Sequence, residues 1–571
     1  MGLPLAENLT PITAAHWGHA QAAHLLERAG FGGTPDQIDR LAAMTPEVAV
    51  ALMIRGEAAP DDLPPFDESG FWDPSLVDFP VSRPAATELA ERTGAAMGVR
   101  VKPGGARPLQ PVTNRFFYWL RATTLETRRV AFWWLDRMVR TRHPLEEKMT
   151  LFWHGHFATT EEKLRDYRKI KQQLDTLRAG ALGSFRDLLT AIAKDPAMLV
   201  FLDAAHNVKG APNENFGREV MELFTMGVGN YSEDDIREAA RAFTGWTNDD
   251  LRFVFDPARH DDGEKRFLGR TGAFDGDDIL QIILEQDQTA IYIASKIYRF
   301  FVRSDVAPDF ARRLGALLRE GEYQIAPFLT ALFLSEDFYA IPSVATQIKS
   351  PTALIVSTYR KLGLTSLPGV PDPYTVGKTL GQVLLYPPTV AGWGEGRSWI
   401  TPGLLFERGN FARDVLFPDM ISFTDPNLNP GEEVRRVNRN ITAGMEITAA
   451  TLEEGASPSM AAGIQESFNT RYASLMGWQE AMRRLKPIPR TAAQFTLTEM
   501  VAGAASAEQA VDALADRFLR VPLPATARAA LVDLLVQEWG TPDLTAAQSY
   551  AEHGLRLVAH GLMCAPQYQL A

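Results

Sequence analysis

Two glutamates in one short stretch offer acid–base chemistry. Glu219 and Glu222 lie three residues apart in the stretch 213–224, where apolar residues recur at helical spacing. Residues three apart project from the same side of a helix, so this spacing predicts two carboxylates on one face. Either glutamate can then ligate a metal ion or act as the general base for a metal-bound water.

A pair of histidines upstream can supply nitrogen ligands for such a metal. His154 and His156 flank Gly155, and the glycine indicates that the preceding helix ends there. Residues two apart share a face in extended backbone, so the pair can chelate Zn²⁺, Mn²⁺ or Fe²⁺. The alternative is that both histidines belong to an aromatic core, because three aromatic residues surround them in the sequence.

A third histidine follows the one clear strand candidate, at 253–255. His260 offers another imidazole, and Asp261 offers a hard oxygen ligand. A shared site requires donors that converge on one ion. We therefore expect the imidazole nitrogens of the three histidines to lie within about 6 Å of one another, beside Glu219 or Glu222.

Polar residues around the acidic helix are candidate substrate contacts. The set comprises Lys209, Asn213, Glu214, Asn215 and Arg218. Lys209 can bind an anionic group of a substrate. Simpler interpretations are also open: an asparagine that caps the helix, an ion pair between Arg218 and Glu222, and a solvated lysine.

An irregular loop at 386–402, rich in glycine and proline, adds two further candidates. Trp393 and Arg397 can stack on a sugar or an aromatic ligand. The interpretation that we favour is that Trp393 and Trp399 anchor this loop on the body of the protein.

Helical periodicity dominates the elements that must position these residues. We predict a mainly α fold, with a large multi-helix domain, irregular Gly/Pro-rich loops and at most a minor β element. The predicted segments are amino-terminal helices packing on the core (1–58), a Pro/Gly-rich excursion or linker (59–112), a helical core domain with the candidate site (113–420), a polar linker with helices (421–506) and carboxy-terminal helices packing on the core (507–571). A cluster of arginines is expected to form a solvated helix face: Arg128, Arg129, Arg137, Arg140 and Arg142.

Composition narrows the classes of partner. The chain has 571 residues, a formal charge of −12 and a pI of about 5.5, which argues against nucleic acid or an anionic membrane as the main partner. Its single cysteine, Cys564, excludes an intrachain disulfide and thiolate metal sites. We find no run of apolar residues long enough for a membrane span and no signal peptide, so we expect a soluble, cytoplasmic protein as the sequence is written.

Several motifs together resemble the bacterial domain-of-unknown-function 1800 family. They are His24-Leu25-Leu26-x-Arg28-Ala29-Gly30-Phe31-Gly32, Phe152-Trp153-His154-Gly155-His156-Phe157, Asn213-Glu214-Asn215-Phe216-Gly217-Arg218-Glu219 through Gly245-Trp246, Pro387-Pro388-x-Val390-x-Gly392-Trp393 with Trp399, and Ala565-Pro566-Gln567-Tyr568-Gln569. The resemblance covers nearly the whole chain and implies little chemistry, since the family is named for lacking an assigned function. Many of its members are exported and encoded beside a sulfatase-like protein, which implies export and such a partner.

These observations lead to one leading hypothesis and two alternatives. The leading hypothesis is a metal-dependent enzyme, and we favour a hydrolase that uses a divalent ion (Zn, Mn or Fe) to activate water. The first alternative is a non-enzymatic helical scaffold or binding protein with a buried polar network. The second is a non-haem iron oxidoreductase, because two histidines and a carboxylate also suit Fe²⁺.

Overall fold

The structure is a computed structural model that describes residues 7–56, 63–72, 110–418, 485–488 and 490–571, and singly 88 and 92. The predicted mainly α fold is confirmed, because helices account for most of the described chain. Most of the predicted linkers at 59–112 and 421–506 lies outside the described residues, and their boundaries stay predictions.

The amino-terminal segment contains short helices. They are Ala14–His16, His19–Leu25, Leu26–Gly30, Pro35–Ala42 and Pro46–Arg55. Pro35–Ala42 and Pro46–Arg55 are two separate helices and not one continuous helix. The chain breaks before Pro46 because the Thr45 side chain caps a second helix by accepting a hydrogen bond from the Val48 N–H.

The central segment opens with the longest helix and continues through a dense helical array. Its helices are Gln110–Arg140, Pro144–His156, Glu161–Leu164, Tyr167–Ala179, Phe185–Ala193, Pro196–Phe201, Ala204–His206, Glu214–Glu219, Val220–Thr225, Glu233–Ala242, Pro257–Arg259, Gly276–Leu284, Asp287–Phe301, Pro308–Glu320, Ile325–Leu334, Ile341–Ser343, Pro351–Lys361, Pro373–Leu380, Gly396–Trp399 and Pro402–Leu416. Side chains of the longest helix are described from Trp119 onward.

The carboxy-terminal segment is also helical. Its helices are Leu497–Met500, Ala507–Phe518, Ala525–Trp539, Leu544–Ala547, Ala551–Cys564 and Pro566–Gln569. Buried apolar side chains from Ile12 to Tyr568 form one continuous cluster. Segments from both ends of the described chain therefore share one buried core with the central helices.

Two small antiparallel hairpins interrupt the helices. Strand Trp246–Asp249 pairs with Arg252–Phe255, and Lys265–Phe267 pairs with Arg270–Gly272. The first hairpin contains the predicted strand at 253–255, with Trp246 opposite Phe255. It leads into the turn that carries His260.

The helix Pro144–His156 does not end before its glycine, which corrects the expectation for the two histidines. His154, Gly155 and His156 are all helical. Residues two apart in a helix point about 200° apart, so the two imidazoles leave the helix on different sides. This helix thereby reaches two separate regions of the molecule.

Two segments wind as π-helix, and both lie within the motifs described above. They are Leu26–Gly30 and Val220–Thr225. In the second, the Thr225 hydroxyl donates a hydrogen bond to the Val220 carbonyl at 2.6 Å. Such wider turns are rare in proteins and turn the backbone and side chains that follow away from the α-helical direction.

Candidate functional site

His154 attaches the Gly/Pro-rich loop to the central helix. Its ring is buried, and its Nε2 accepts a hydrogen bond from the Leu385 N–H at 3.1 Å. Leu385 has a φ of +68°, a conformation that is strained for a leucine. Burial lowers the pKa of His154 to about 3, so the neutral ring acts as the acceptor that holds this backbone turn.

The same loop packs directly on the helix. The Trp393 ring lies 5.2 Å from the His154 ring, and a Cβ on Gly392 would clash with the carbonyl oxygen of Gly155. Trp399 is buried, and its carbonyl accepts from the buried Arg408. These contacts agree with the anchoring interpretation for both tryptophans, whereas the predicted substrate contact Arg397 is exposed.

His156 faces a different neighbour. Its Nε2–H donates to the Phe224 carbonyl at 3.0 Å, inside the π-helical segment. Burial, followed by the charge of Lys296, holds the pKa of His156 well below its ordinary value against the effect of that hydrogen bond. Nδ1 is buried and has no hydrogen-bond partner among the described residues.

His260 and Asp261 lie against the helix Glu233–Ala242. The His260 Nδ1–H donates to the Thr244 carbonyl at 2.9 Å, and Asp261 pairs with Arg241 at 2.8 Å. Hydrogen bonds from Arg241 lower the pKa of Asp261 to about 2. The next residue, Asp262, pairs with Lys209 at 2.5 Å, so the predicted anion-binding lysine already has an acidic partner.

The two glutamates lie at the junction of α- and π-helix. Glu219 ends the helix Glu214–Glu219, and Glu222 accepts a hydrogen bond from the Tyr231 hydroxyl at 2.9 Å. Burial, and then the charge of Glu222, raises the pKa of Glu219. The two carboxylates therefore interact electrostatically.

These side chains do not assemble into a recognisable metal centre. Within the described ranges, no three His, Cys, Asp or Glu side chains are grouped so that they could hold a metal ion. The His154 Nε2 lone pair is occupied by Leu385, and Asp261 is committed to Arg241. As placed, these residues do not fit one shared ion, and the predicted metal site stays a prediction from the sequence.

The polar residues that open the acidic helix have local structural partners. The Asn213 side chain caps the helix by accepting from the Asn215 N–H at 3.0 Å, and the Asn215 amide donates to the Leu202 carbonyl. Arg218 pairs with Glu214 at 3.1 Å and with Glu233 at 2.9 Å. Among the described side chains, its acidic partners are thus these two, in place of the expected Glu222.

A buried charge cluster elsewhere was not anticipated from the sequence. Glu27, in the first π-helical segment, pairs with Lys349 at 3.0 Å, with Lys361 at 2.9 Å and with Arg520 at 3.6 Å. We call these four residues the Glu27 network. The amino-terminal motif leaves position 27 open, so it did not single out Glu27, and spacing alone cannot separate a buried charge from a solvated one.

Burial and charge act in opposite directions on Glu27. Burial by itself raises its pKa, and the three surrounding cations outweigh that effect, so the pKa lies well below its ordinary value. Nearby Lys148 is buried with its ammonium 4.4 Å from the centre of the Phe31 ring. Burial, with help from the charge of Arg28, lowers the pKa of Lys148 to about 7.

A family model described as "Protein of unknown function (DUF1800)" matches residues 24–570. The chain belongs to this family. The match includes Glu27, both central histidines, the acidic helix and the Gly/Pro-rich loop, which confirms the resemblance seen in the motifs. No curated protein and no solved structure matches the chain. None of the described helices of this family member is long and apolar enough to cross a membrane.

Proposed function

We propose that the protein is a non-enzymatic helical scaffold or binding protein whose buried polar residues lock distant segments into one frame. The observation that carries this proposal is the Glu27 network. There, the buried carboxylate of the amino-terminal segment forms ion pairs with two lysines of the central segment and one arginine of the carboxy-terminal segment.

Each lysine of the network also donates to a carbonyl of the carboxy-terminal segment. Lys361 donates to the Phe518 carbonyl and Lys349 to the Tyr568 carbonyl, both at 2.9 Å. A buried ammonium is costly unless its charge and its donors are satisfied. The pairing therefore ties the ends of the chain to the central helices, and separating them would expose or strand charges.

The backbone near Glu27 has no room for side-chain variation. Gly32 has a φ of +76°, and a Cβ there would lie 2.8 Å from Glu27 Oε2. The same Cβ would lie 2.9 Å from Lys361 Cε. A glycine at this position is what allows the turn and the ion pair to coexist.

The histidines support the same role. His154 holds the strained turn before the Gly/Pro-rich loop, and His156 holds the end of the acidic helix. A catalytic histidine usually changes protonation near neutral pH, whereas burial keeps both of these rings neutral there. Fixed neutral rings with backbone partners suit a frame that positions loops for binding.

A double-mutant cycle tests the locking role. Glu27→Gln, Lys361→Met and the double variant should show a coupling free energy of at least about 1 kcal/mol in urea unfolding, because either single change strands a charge. The matched control is Glu233→Gln, which removes an exposed partner of Arg218. It should leave the unfolding midpoint unchanged. Additive effects of the two network changes would contradict the locking role.

Metal content separates this proposal from the metal-dependent hydrolase. Protein purified without added metal should lack stoichiometric Zn, Mn or Fe, and chelation should leave its melting temperature unchanged. Stoichiometric metal that is lost in a folded His154→Ala, His156→Ala double variant would overturn the scaffold proposal. It would support metal-activated hydrolysis or iron chemistry instead.

A further inference from the structure

A small cavity opens beside the longest helix, and its lining is rich in cations. It has a volume of about 60 Å³ and lies between the helices Gln110–Arg140 and Pro373–Leu380 and the residues Leu485, Lys486, Ile488 and Arg490. Five basic residues line it: Arg121, Arg128, Arg129, Lys486 and Arg490. We call this cavity the Arg128 pocket. The expected solvated arginine face is thus corrected at Arg128 and Arg129, which line a cavity.

Three of these cations contact carboxylates within the described part of the chain. Asp67 contacts Arg129 and Lys486, Glu126 contacts Arg129, and Asp372 contacts Arg490. Arg129, Lys486 and Arg490 are therefore each in contact with a carboxylate. Burial also raises the pKa of Glu126, which weakens its tendency to carry charge.

Asp372, the acidic residue of the lining, is already committed. Its carboxylate accepts from the Thr375 N–H at 3.2 Å and from the Thr375 hydroxyl at 2.6 Å, which caps the helix Pro373–Leu380. It also accepts from Arg490. This carboxylate has little capacity left to neutralise another arginine.

Arg128 has no acidic partner among the described residues. Its guanidinium lies 4.3 Å from the centre of the Tyr374 ring, and the structure gives it no ion pair or hydrogen bond with any described residue. Stacking on a ring fixes the guanidinium plane while leaving its N–H donors unused. A planar set of donors in that state is suited to bind an oxyanion.

The remaining walls are apolar, and they set the size and strength of binding. Leu125, Phe132, Leu135, Ile355 and Leu384 line the cavity. Apolar walls reduce the local dielectric and strengthen a charge interaction. A volume of about 60 Å³ is well below the roughly 150 Å³ of an apolar cavity that holds benzene, so it suits a small head group better than a benzene-sized ring.

We propose that the Arg128 pocket binds a small oxyanion, of the size of phosphate, sulfate or acetate, either free or as the head group of a larger molecule. This inference names a ligand class for the binding role proposed above and rests on that role.

Calorimetric titration of the full chain with phosphate, sulfate, acetate and benzoate tests the site. At least one of the three small anions should bind, benzoate should bind more weakly, and added NaCl should weaken binding. A stronger response to phosphate and sulfate than to acetate would indicate a tetrahedral ligand, and the reverse a carboxylate. No measurable binding of any small anion would overturn the proposal.

Variants tie binding to the guanidinium. Arg128→Gln should lower the affinity at least tenfold, whereas Arg140→Gln, on the same helix but paired with Asp136, should match the wild type. Tyr374→Leu should weaken binding and Tyr374→Phe should preserve it, because the phenyl ring keeps the stacking surface. Equal affinity in Arg128→Gln and wild type, with both folded, would mean an adventitious ion only.

The outcomes for this site and for the scaffold proposal can be told apart. The double-mutant cycle at Glu27 and Lys361 measures the stability of the protein, and the Arg128 variants measure its anion binding. Coupling in the Glu27 network without Arg128-dependent binding would reject the oxyanion site alone. Additive Glu27 and Lys361 effects with Arg128-dependent binding would reject the locking role alone.

Discussion

The Glu27 network and the Arg128 pocket are both groups of cations around few carboxylates, yet they differ in how the charges are satisfied. In the network, Lys349 and Lys361 contact the carboxylate and also donate to backbone carbonyls. In the pocket, Arg128 lies on an aromatic ring and has no acidic partner among the described residues.

This difference follows from how far each charged side chain is exposed to solvent. The Lys361 side chain has no exposure to solvent and that of Glu27 has 2 %, so every charge there must find a protein partner. Arg128 is half-buried beside a cavity, where water or an anion can reach its donors. The first arrangement stabilises the fold. The second leaves the N–H donors of Arg128 available to bind a ligand.

The largest expected effect on stability comes from a substitution that breaks the Glu27 network. Glu27→Gln should destabilise the protein by about 3–5 kcal/mol, because it leaves three buried cations without their counter-charge. Urea unfolding followed by circular dichroism measures the loss. If this variant does not fold, Arg520→Met, which removes the most distant cation, provides a milder version of the same test. A loss no larger than that of Arg128→Gln would erase the contrast between the two regions.

The next effect concerns His154, which stabilises a backbone turn without using charge. His154→Phe leaves the buried Leu385 N–H without its acceptor and should cost about 1–3 kcal/mol. The control is His206→Phe at an exposed histidine, which should change stability little. His154→Gln should restore part of the loss by supplying an acceptor. Equal losses in the two Phe variants would show that the hydrogen bond to Leu385 has no role in stability.

A third effect concerns the pH dependence of the free energy of unfolding, to which the buried His24 contributes. His24 is buried and its Nε2–H donates to the Phe338 carbonyl at 3.0 Å. Burial first, and the charge of Arg28 second, lower its pKa to about 3, against opposing effects of that hydrogen bond and of Glu27. The unfolded chain has a histidine pKa of about 6.5, so it binds a proton at pH values where the folded protein does not.

The sign follows from this proton uptake on unfolding. Stability from His24 is complete above about pH 6.5 and falls by about 1.4 kcal/mol per pH unit as the pH drops towards 3. His24→Gln keeps a donor for Phe338 without titrating, so its stability should decline less steeply across this window. Urea unfolding at several pH values measures both slopes. Parallel curves for variant and wild type would contradict the depressed pKa.

The smallest effect is expected at Arg128. Arg128→Gln should change stability by no more than about 1 kcal/mol, because it removes one cation–π contact and relieves repulsion among the remaining cations. Phosphate, sulfate or acetate should raise the melting temperature of the wild type and leave this variant unchanged. A large destabilisation without ligand would make Arg128 a structural residue like those of the Glu27 network.

Local patterns in the sequence predicted local structure well. Apolar periodicity identified the helices, and the short β-branched and aromatic run identified the strand now seen within Arg252–Phe255. Asn213 caps its helix as its residue type allowed. Such features depend on neighbours a few residues away, which a single sequence contains.

Gly155 shows where that reasoning failed. Glycine often ends a helix because it is flexible, and this predicted extended backbone with both histidines on one face. In the structure the helix continues to His156, and the carbonyl of Gly155 instead meets Gly392 of a distant loop. Tertiary packing overrode a weak local preference and sent the imidazoles in different directions.

By itself, the sequence determined the mainly α fold, the family and the set of polar residues within its motifs, because periodicity and motif spacing are properties of order along the chain. Only the tertiary structure decided which charges are buried together and which line a cavity. Glu27 and Arg520 are nearly five hundred residues apart in the chain and 3.6 Å apart in space. No spacing rule encodes such a contact, since it arises when separate helices bury their apolar faces in one core.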